Sequence, residues 1–116
     1  VKVSTLLKKT RKIIAKEENW TRDADARAAN GNAIGVHTQG ACAYCVGGAL
    51  QKAYGDHYLI GNTTFLKAAR LLHEDAQRYG FQGFVHANDS AATTHKQVLR
   101  AIDRCIEVAK KEEFNA

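Results

Sequence analysis

The chain has 116 residues, 45 % of them apolar and 25 % charged, with no proline or methionine and a formal net charge of +5. This length and composition exclude a disordered or fibrous chain and predict one globular domain, 1–116, that builds its core without disulfide or metal staples. The longest nearly apolar run, Gly40 to Leu50, is far shorter than the ~20 residues of a membrane span. Basic residues interrupt the apolar positions of the first segment, which leaves no signal-peptide core there. Three cysteines, an odd and low number, point to a reducing cytoplasm rather than a disulfide framework.

Residues 4–18 read as an amphipathic helix. Val3, Leu6, Leu7, Ile13 and Ile14 share one face, and Lys8, Lys9, Arg11, Lys12 and Lys16 the other. Residues 1–16 carry six basic side chains and no acid, whereas the other 100 carry 11 basic and 12 acidic ones. With Glu17 and Glu18 at its end, such a helix opposes its own macrodipole, so packing must hold it. Asn30-Gly31 predicts a type I′ turn between short strands at Arg27–Ala29 and Asn32–Ile34. Residues 40–54, GACAYCVGGALQKAY, are apolar almost all round and read as a buried helix stopped by Gly55. Gly47 and Gly48 inside it each cost roughly 1 kcal/mol relative to alanine, which implies close approach of another helix or of a ligand.

A further helix, capped by Thr63 or Thr64 and ended by Gly80, puts Phe65, Leu66, Ala69, Leu72, Ala76 and Tyr79 on one face. Phe84–His86 reads as extended and Asn88-Asp89-Ser90 as a turn. In the last segment Thr94 and Gln97 match the capping box, His95 falls at an exposed first helical position, and Val98, Leu99, Ile102, Cys105, Ile106 and Ala109 form the core face. The expected fold class is mainly α: a compact bundle of about four helices with one small two-stranded β element.

Trp20-Thr21, Ala26-Arg27, Asn30-Gly31-Asn32, Cys45-x-x-Gly48-Ala49-Leu50, Asn88-Asp89 and Thr94-His95-x-x-Val98-Leu99 follow one another in an order that resembles a family of small bacterial and phage proteins of unknown function. Its members typically read W-T-x-G-x-x-A-R-D-x-x-G, then C-x-x-G-A-L, N-D and T-x-x-E-V-L. The resemblance spans roughly residues 5–108 and implies a bacterial or phage setting but no assigned activity. Asp23 departs from the pattern where a glycine is usual, Ala28 where an acid is, and Gln97 where a glutamate is.

Three constellations are candidates for chemistry. Cys45 with His95 and Asp89 is the residue set of a cysteine hydrolase; against it, a reactive thiolate sits at a helix N-terminus, and the expected helix buries Cys45 about a turn inside. Cys42-Ala-Tyr-Cys45 has metal-ligand spacing, with Cys105, His86 or His95 to complete a site. No second paired motif accompanies it, so three core cysteines are the expectation. No glycine pattern for a nucleotide occurs and no cofactor is expected. The basic face, Lys8, Lys9, Arg11, Lys12 and Lys16, suits salt-sensitive contact with phosphates or with an acidic protein surface, without base reading. Trp20, Asn88 and Asp89, where the family resemblance gathers, are further candidate binding residues, although Asn-Asp also makes turns by bonding its own backbone. These readings favour a cytoplasmic binding or interaction module over an enzyme, with no membrane partner. The cysteine hydrolase and a non-sequence-specific nucleic-acid binder are the alternatives.

Overall fold

The computed structural model describes residues 1–55 and 63–115. Within them run α1 (Val3–Ile13), a 3₁₀ turn (Glu17–Asn19), β1 (Ala26–Ala28), β2 (Ala33–Ile34), β3 (Ala41–Tyr44), α2 (Val46–Tyr54), α3 (Thr63–Arg78), α4 (Phe84–Asp89) and α5 (His95–Phe114). The class is mainly helical, with five helices among the described residues where about four were expected, and three strands where two were. No helix among them is long and apolar enough to cross a membrane.

α1 packs against α2, α3 and α5; its inward face buries Leu6 and Leu7 almost completely, and Ile14, just past its end, is buried too. The helix is shorter than its periodicity suggests. It ends at Ile13, and Glu17 and Glu18 open the separate 3₁₀ turn, where acids are favourable. Arg11 and Lys12 thus occupy the last turn of α1, the favourable end for bases, so the expected opposition between charge order and dipole is not found. The missing acid at the start of α1 comes from α5. The Ser4 amide donates to Glu113 Oε2 at 3.0 Å and the Ser4 hydroxyl to Oε1 at 2.6 Å. Further along the same antiparallel contact, Arg11 grips Asp103 with Nε at 2.6 Å and Nη2 at 3.2 Å, and His95 Nε2 meets the Ile14 carbonyl at 2.6 Å.

The hairpin forms, but through a different turn. Gly31 takes φ +88°, the Gly31 amide donates to the Ala28 carbonyl at 2.9 Å, and Asn30 keeps a negative φ. The loop therefore has three residues, Ala29 to Gly31, rather than a two-residue type I′ turn. The expected long helix over 40–54 splits. Gly40 at φ +95° turns the chain into β3, which pairs antiparallel with β1 on the side away from β2, giving the order β2-β1-β3. Ala41–Tyr44 shows no regular alternation of burial, because its pairing with β1 shifts register at Cys42: Arg27 faces Ala43 and Ala28 faces Ala41, and Cys42 between them is exposed.

α3 is rotated from its expected face. Ala68, Leu71, Leu72, Asp75 and Ala76 point inward, while Leu66 and Tyr79 are 55 % and 59 % exposed. A carboxylate lies in the core because Arg104 of α5 pairs with it through two bonds, 2.8 and 2.9 Å. Thr63 and Thr64 lie inside α3, and the residue that would cap it is outside the described residues. Residues 84–86, expected to be extended, instead begin α4. α5 starts as expected: the Thr94 hydroxyl accepts from the Gln97 amide and the Gln97 side chain from the Thr94 amide.

The Ser4 hydroxyl and amide hold the Glu113 carboxyl below the usual glutamate range. A depressed pKa contributes stability above the unfolded-state value and loses it as pH falls through the folded one. Glu113→Ala should therefore lower the urea midpoint at neutral pH, and its gap from wild type should begin to narrow below about pH 4.3, the unfolded-state value, and close as the pH falls through the lower folded-state value. A gap that persists unchanged at low pH would assign the contact to packing alone.

Candidate functional site

Several of the residues that carry the family resemblance, among them Trp20, Thr21 and Asp89, come together around Asn88. Its side chain is 1 % exposed and makes four hydrogen bonds. Oδ1 accepts from the Trp20 indole at 2.7 Å and from the Val46 amide at 3.1 Å. Nδ2 donates to the Thr21 carbonyl at 3.0 Å and to Asp89 Oδ1 at 2.9 Å. Two donors face the oxygen and two acceptors face the nitrogen, which fixes the amide's orientation. Val46 opens α2, so Asn88 also satisfies one of that helix's orphan amides.

Asp89 extends the junction by accepting from the Asp23 amide at 2.9 Å. Asp23 stands at φ +65°, a left-handed conformation that glycine adopts freely and aspartate more readily than most residues. This accounts for the glycine usual at that place in the resembled pattern. Arg27 clamps the same loop to the hairpin, donating to Thr21 Oγ1 at 2.8 Å and to the Arg22 and Gly31 carbonyls at 3.0 Å each. Trp20 lies beside the His95 ring, centroids 5.6 Å apart, and the Arg22 guanidinium sits 4.6 Å over the indole. Arg22 Nη2 donates to the Thr93 carbonyl, and Nε is buried without a hydrogen-bond partner among the described residues. His95 is half-buried rather than exposed, and because a carbonyl only accepts, its Nε2 carries the proton shared with Ile14.

Cys45 is the N-cap of α2, not a residue inside it. Its sulfur accepts from the Gly48 amide at 3.2 Å, and its own amide donates to the Asp25 carbonyl at 3.2 Å. The same carbonyl explains Gly48: a Cβ there would lie 1.9 Å from Asp25 O, a backbone atom that cannot yield. The close neighbour foreseen for the glycines is thus a loop backbone for Gly48 and the Phe84 ring for Gly47. A helix N-terminus favours a thiolate, but burial pushes the Cys45 thiol up, the Gly48 and Gly47 amides oppose this, and the Asp25 and Asp89 carboxylates add to the rise. Cys105 is pushed up to about 12, chiefly by burial. Cys42 is exposed, which corrects the expectation of three core cysteines. No three metal-ligating side chains cluster among the described residues, so Cys42 and Cys45 gain no completing ligands.

On the other side of Asn88, α3, α4 and α5 diverge around a groove of about 450 Å³. Its walls are apolar, with Leu72, Tyr79, Phe81, Phe84, Val98 and Ile102. Ala76, Ala87, Ala92 and Ala101 line it too, and their small side chains leave the space open. The charged residues lining it are Asp75, Arg100 and Arg104. Nothing in the sequence pointed to this groove, since alanines on an apolar face look like ordinary packing. The lysines of the basic face stand elsewhere: Lys8, Lys9 and Lys12 are exposed along α1 and Lys16 just beyond it, while Arg11 is tied to Asp103.

A mainly helical fold with a three-stranded antiparallel sheet, fastened by a Trp–Asn–Asp junction centred on the buried Asn88, is the class of protein that these features define. The chain belongs to the Family of unknown function (DUF6197), which it matches over residues 1–108. No curated protein and no solved structure matches it.

Removing the Asn88 amide strands buried donors, each worth about 1–3 kcal/mol. Asn88→Ala should lower stability by about 3 kcal/mol in urea titrations. Asn88→Asp, which loses both donors and sets a second carboxylate against Asp89, should be at least as harmful; a near-neutral Asn88→Asp would show that the junction carries little. Iodoacetamide should label Cys42 in the native protein and reach Cys45 and Cys105 only after unfolding, as mapped by peptide mass spectrometry. Fast native labelling of Cys45 would mean that its thiol is accessible and activated.

Proposed function

We propose that the chain is a binding module and that its ligand site is the groove between α3, α4 and α5. The observation that carries this reading is the groove itself: a concavity of about 450 Å³ with apolar walls and a few polar groups at its edge. Ligand pockets typically have that size and lining. The alanines that keep it open are a second support, because leucine at any of them would bury more apolar surface. The hydrolase alternative has less support. Cys45 is 4 % exposed with a raised thiol pKa, and the His95 Nε2 proton is already committed to Ile14. Three free thiols favour a cytoplasmic setting, and the bacterial or phage origin rests on the sequence resemblance.

The uncharged probe N-phenyl-1-naphthylamine should gain fluorescence on the wild-type protein. Ala101→Leu, which fills the groove, should keep an unchanged or raised urea midpoint and abolish the gain. Equal fluorescence with both proteins would refute the groove as a site.

A second reading, contact with nucleic acid or an acidic protein through the α1 face, is favoured by one observation. Lys8, Lys9, Lys12 and Lys16 are exposed and none forms an ion pair among the described residues. Such binding would weaken steeply with salt, by a slope of about −0.9 per phosphate on duplex DNA. Wild type should elute from heparin at higher salt than Lys8→Glu/Lys12→Glu, with folding unchanged. Co-elution would reduce the face to solvated surface.

A further inference from the structure

We infer that the groove takes a small amphiphilic anion: an apolar body of rings or alkyl chain ended by a carboxylate or a similar head. This inference rests on the groove being a ligand site and adds its chemical class. It comes from the balance of charge around an otherwise apolar hollow. Asp75 is the one acid among the residues that line it, and Asp75 is already neutralised. Arg104 holds both of its oxygens, at 2.8 and 2.9 Å, and Arg78 Nη1 lies 4.0 Å from Oδ1. Arg104 is itself spoken for, with its guanidinium 4.3 Å over the Tyr79 ring.

Arg100 lies one helical turn before Arg104 on α5, so both reach the same side of the groove. Arg100 is exposed and makes no ion pair or hydrogen bond among the described residues. The groove edge therefore carries two guanidinium groups, Arg100 and Arg104, against one carboxylate, with Arg100 free to engage a further anion. A planar guanidinium suits a carboxylate in a two-point contact. A neutral apolar ligand would leave this excess unused. A polyphosphate or a nucleotide would need many donors, whereas the walls offer aromatic and aliphatic carbon. Size agrees, because a volume near 450 Å³ holds a single small molecule.

The test compares two related probes on five proteins. 1-Anilinonaphthalene-8-sulfonate carries an anionic head, and N-phenyl-1-naphthylamine is the same ring system without it. On wild type the anionic probe should bind more tightly. Arg100→Gln should weaken the anionic probe about tenfold, as loss of a charged contact does, and leave the neutral probe within about twofold. Arg100→Lys should recover most of the loss. Lys8→Glu/Lys12→Glu should leave both probes unchanged, which separates the groove from the α1 face. Equal affinity for the two probes, or an Arg100→Gln effect of the same size on both, overturns the anion assignment while the groove reading stands. Failure of either probe to distinguish wild type from Ala101→Leu overturns the groove reading itself. Light scattering that finds a dimer dissolved by Ala101→Leu would place a second copy of the chain in the groove, and that also overturns the assignment.

Discussion

One buried carboxamide holds the molecule's separate parts to each other. Asn88 lies on α4, a helix of six residues, too short to be stable alone. Three of its four bonds join that helix to the Trp20–Thr21 loop and to the first amide of α2, and the fourth is to Asp89 beside it. An unmade bond at such a depth costs the full desolvation of the stranded group. The three segments are therefore expected to form together. The position of α4 decides whether a groove exists, because Phe84 and Ala87 on α4 form one of its walls. The fold's central polar contact and its candidate ligand site are in this sense one arrangement seen from two sides.

Electrostatics fastens the remaining long helices. α1 and α5 run antiparallel, and three contacts pin them along their length: Ser4 to Glu113 at one end, Arg11 to Asp103 between, and Ile14 to His95 at the other. The outer two satisfy backbone groups near the ends of α1 that the helix cannot pair internally. Glu113 sits in the last turn of α5, a poor place for an acid with respect to its own helix dipole, and its position makes sense as the N-terminal partner of α1. The exposed lysines form no ion pair in these contacts, although Lys2 and Lys8 add to holding the Glu113 carboxyl low.

Much of this was legible in the sequence wherever a local rule decided the outcome. Thr94 and Gln97 announced the start of α5, and apolar spacing announced the buried face of α1. Elsewhere a tertiary contact overrode the local rule. The small residues of β3 merged visually with the apolar start of α2, which displaced Cys45 from the N-cap where it stands. Asp75 turned α3 away from its most apolar face because a partner 29 positions away, Arg104, accepts the charge. Phe84–His86 became helical although their residues favour strands, because Asn88 and the packing against α2 and α3 reward a helix there. Trp20, Asn88 and Asp89 were recognisable as a group through the resemblance, but the Trp20–Asn88 bond joins residues 68 positions apart in the chain. The groove had no sequence signal, since it is defined by side chains that are absent.

The account stands on the claim that the Asn88 junction is part of the global cooperative unit rather than a local ornament. Native-state hydrogen exchange measures this directly at two of its donors, the Trp20 indole N–H and the Val46 amide. The account predicts that both exchange with the opening free energy and urea dependence of the deepest core amides, such as those of Leu50 and Ile102. Shallow exchange at Trp20 and Val46 that is independent of urea, while the core stays protected, would contradict it.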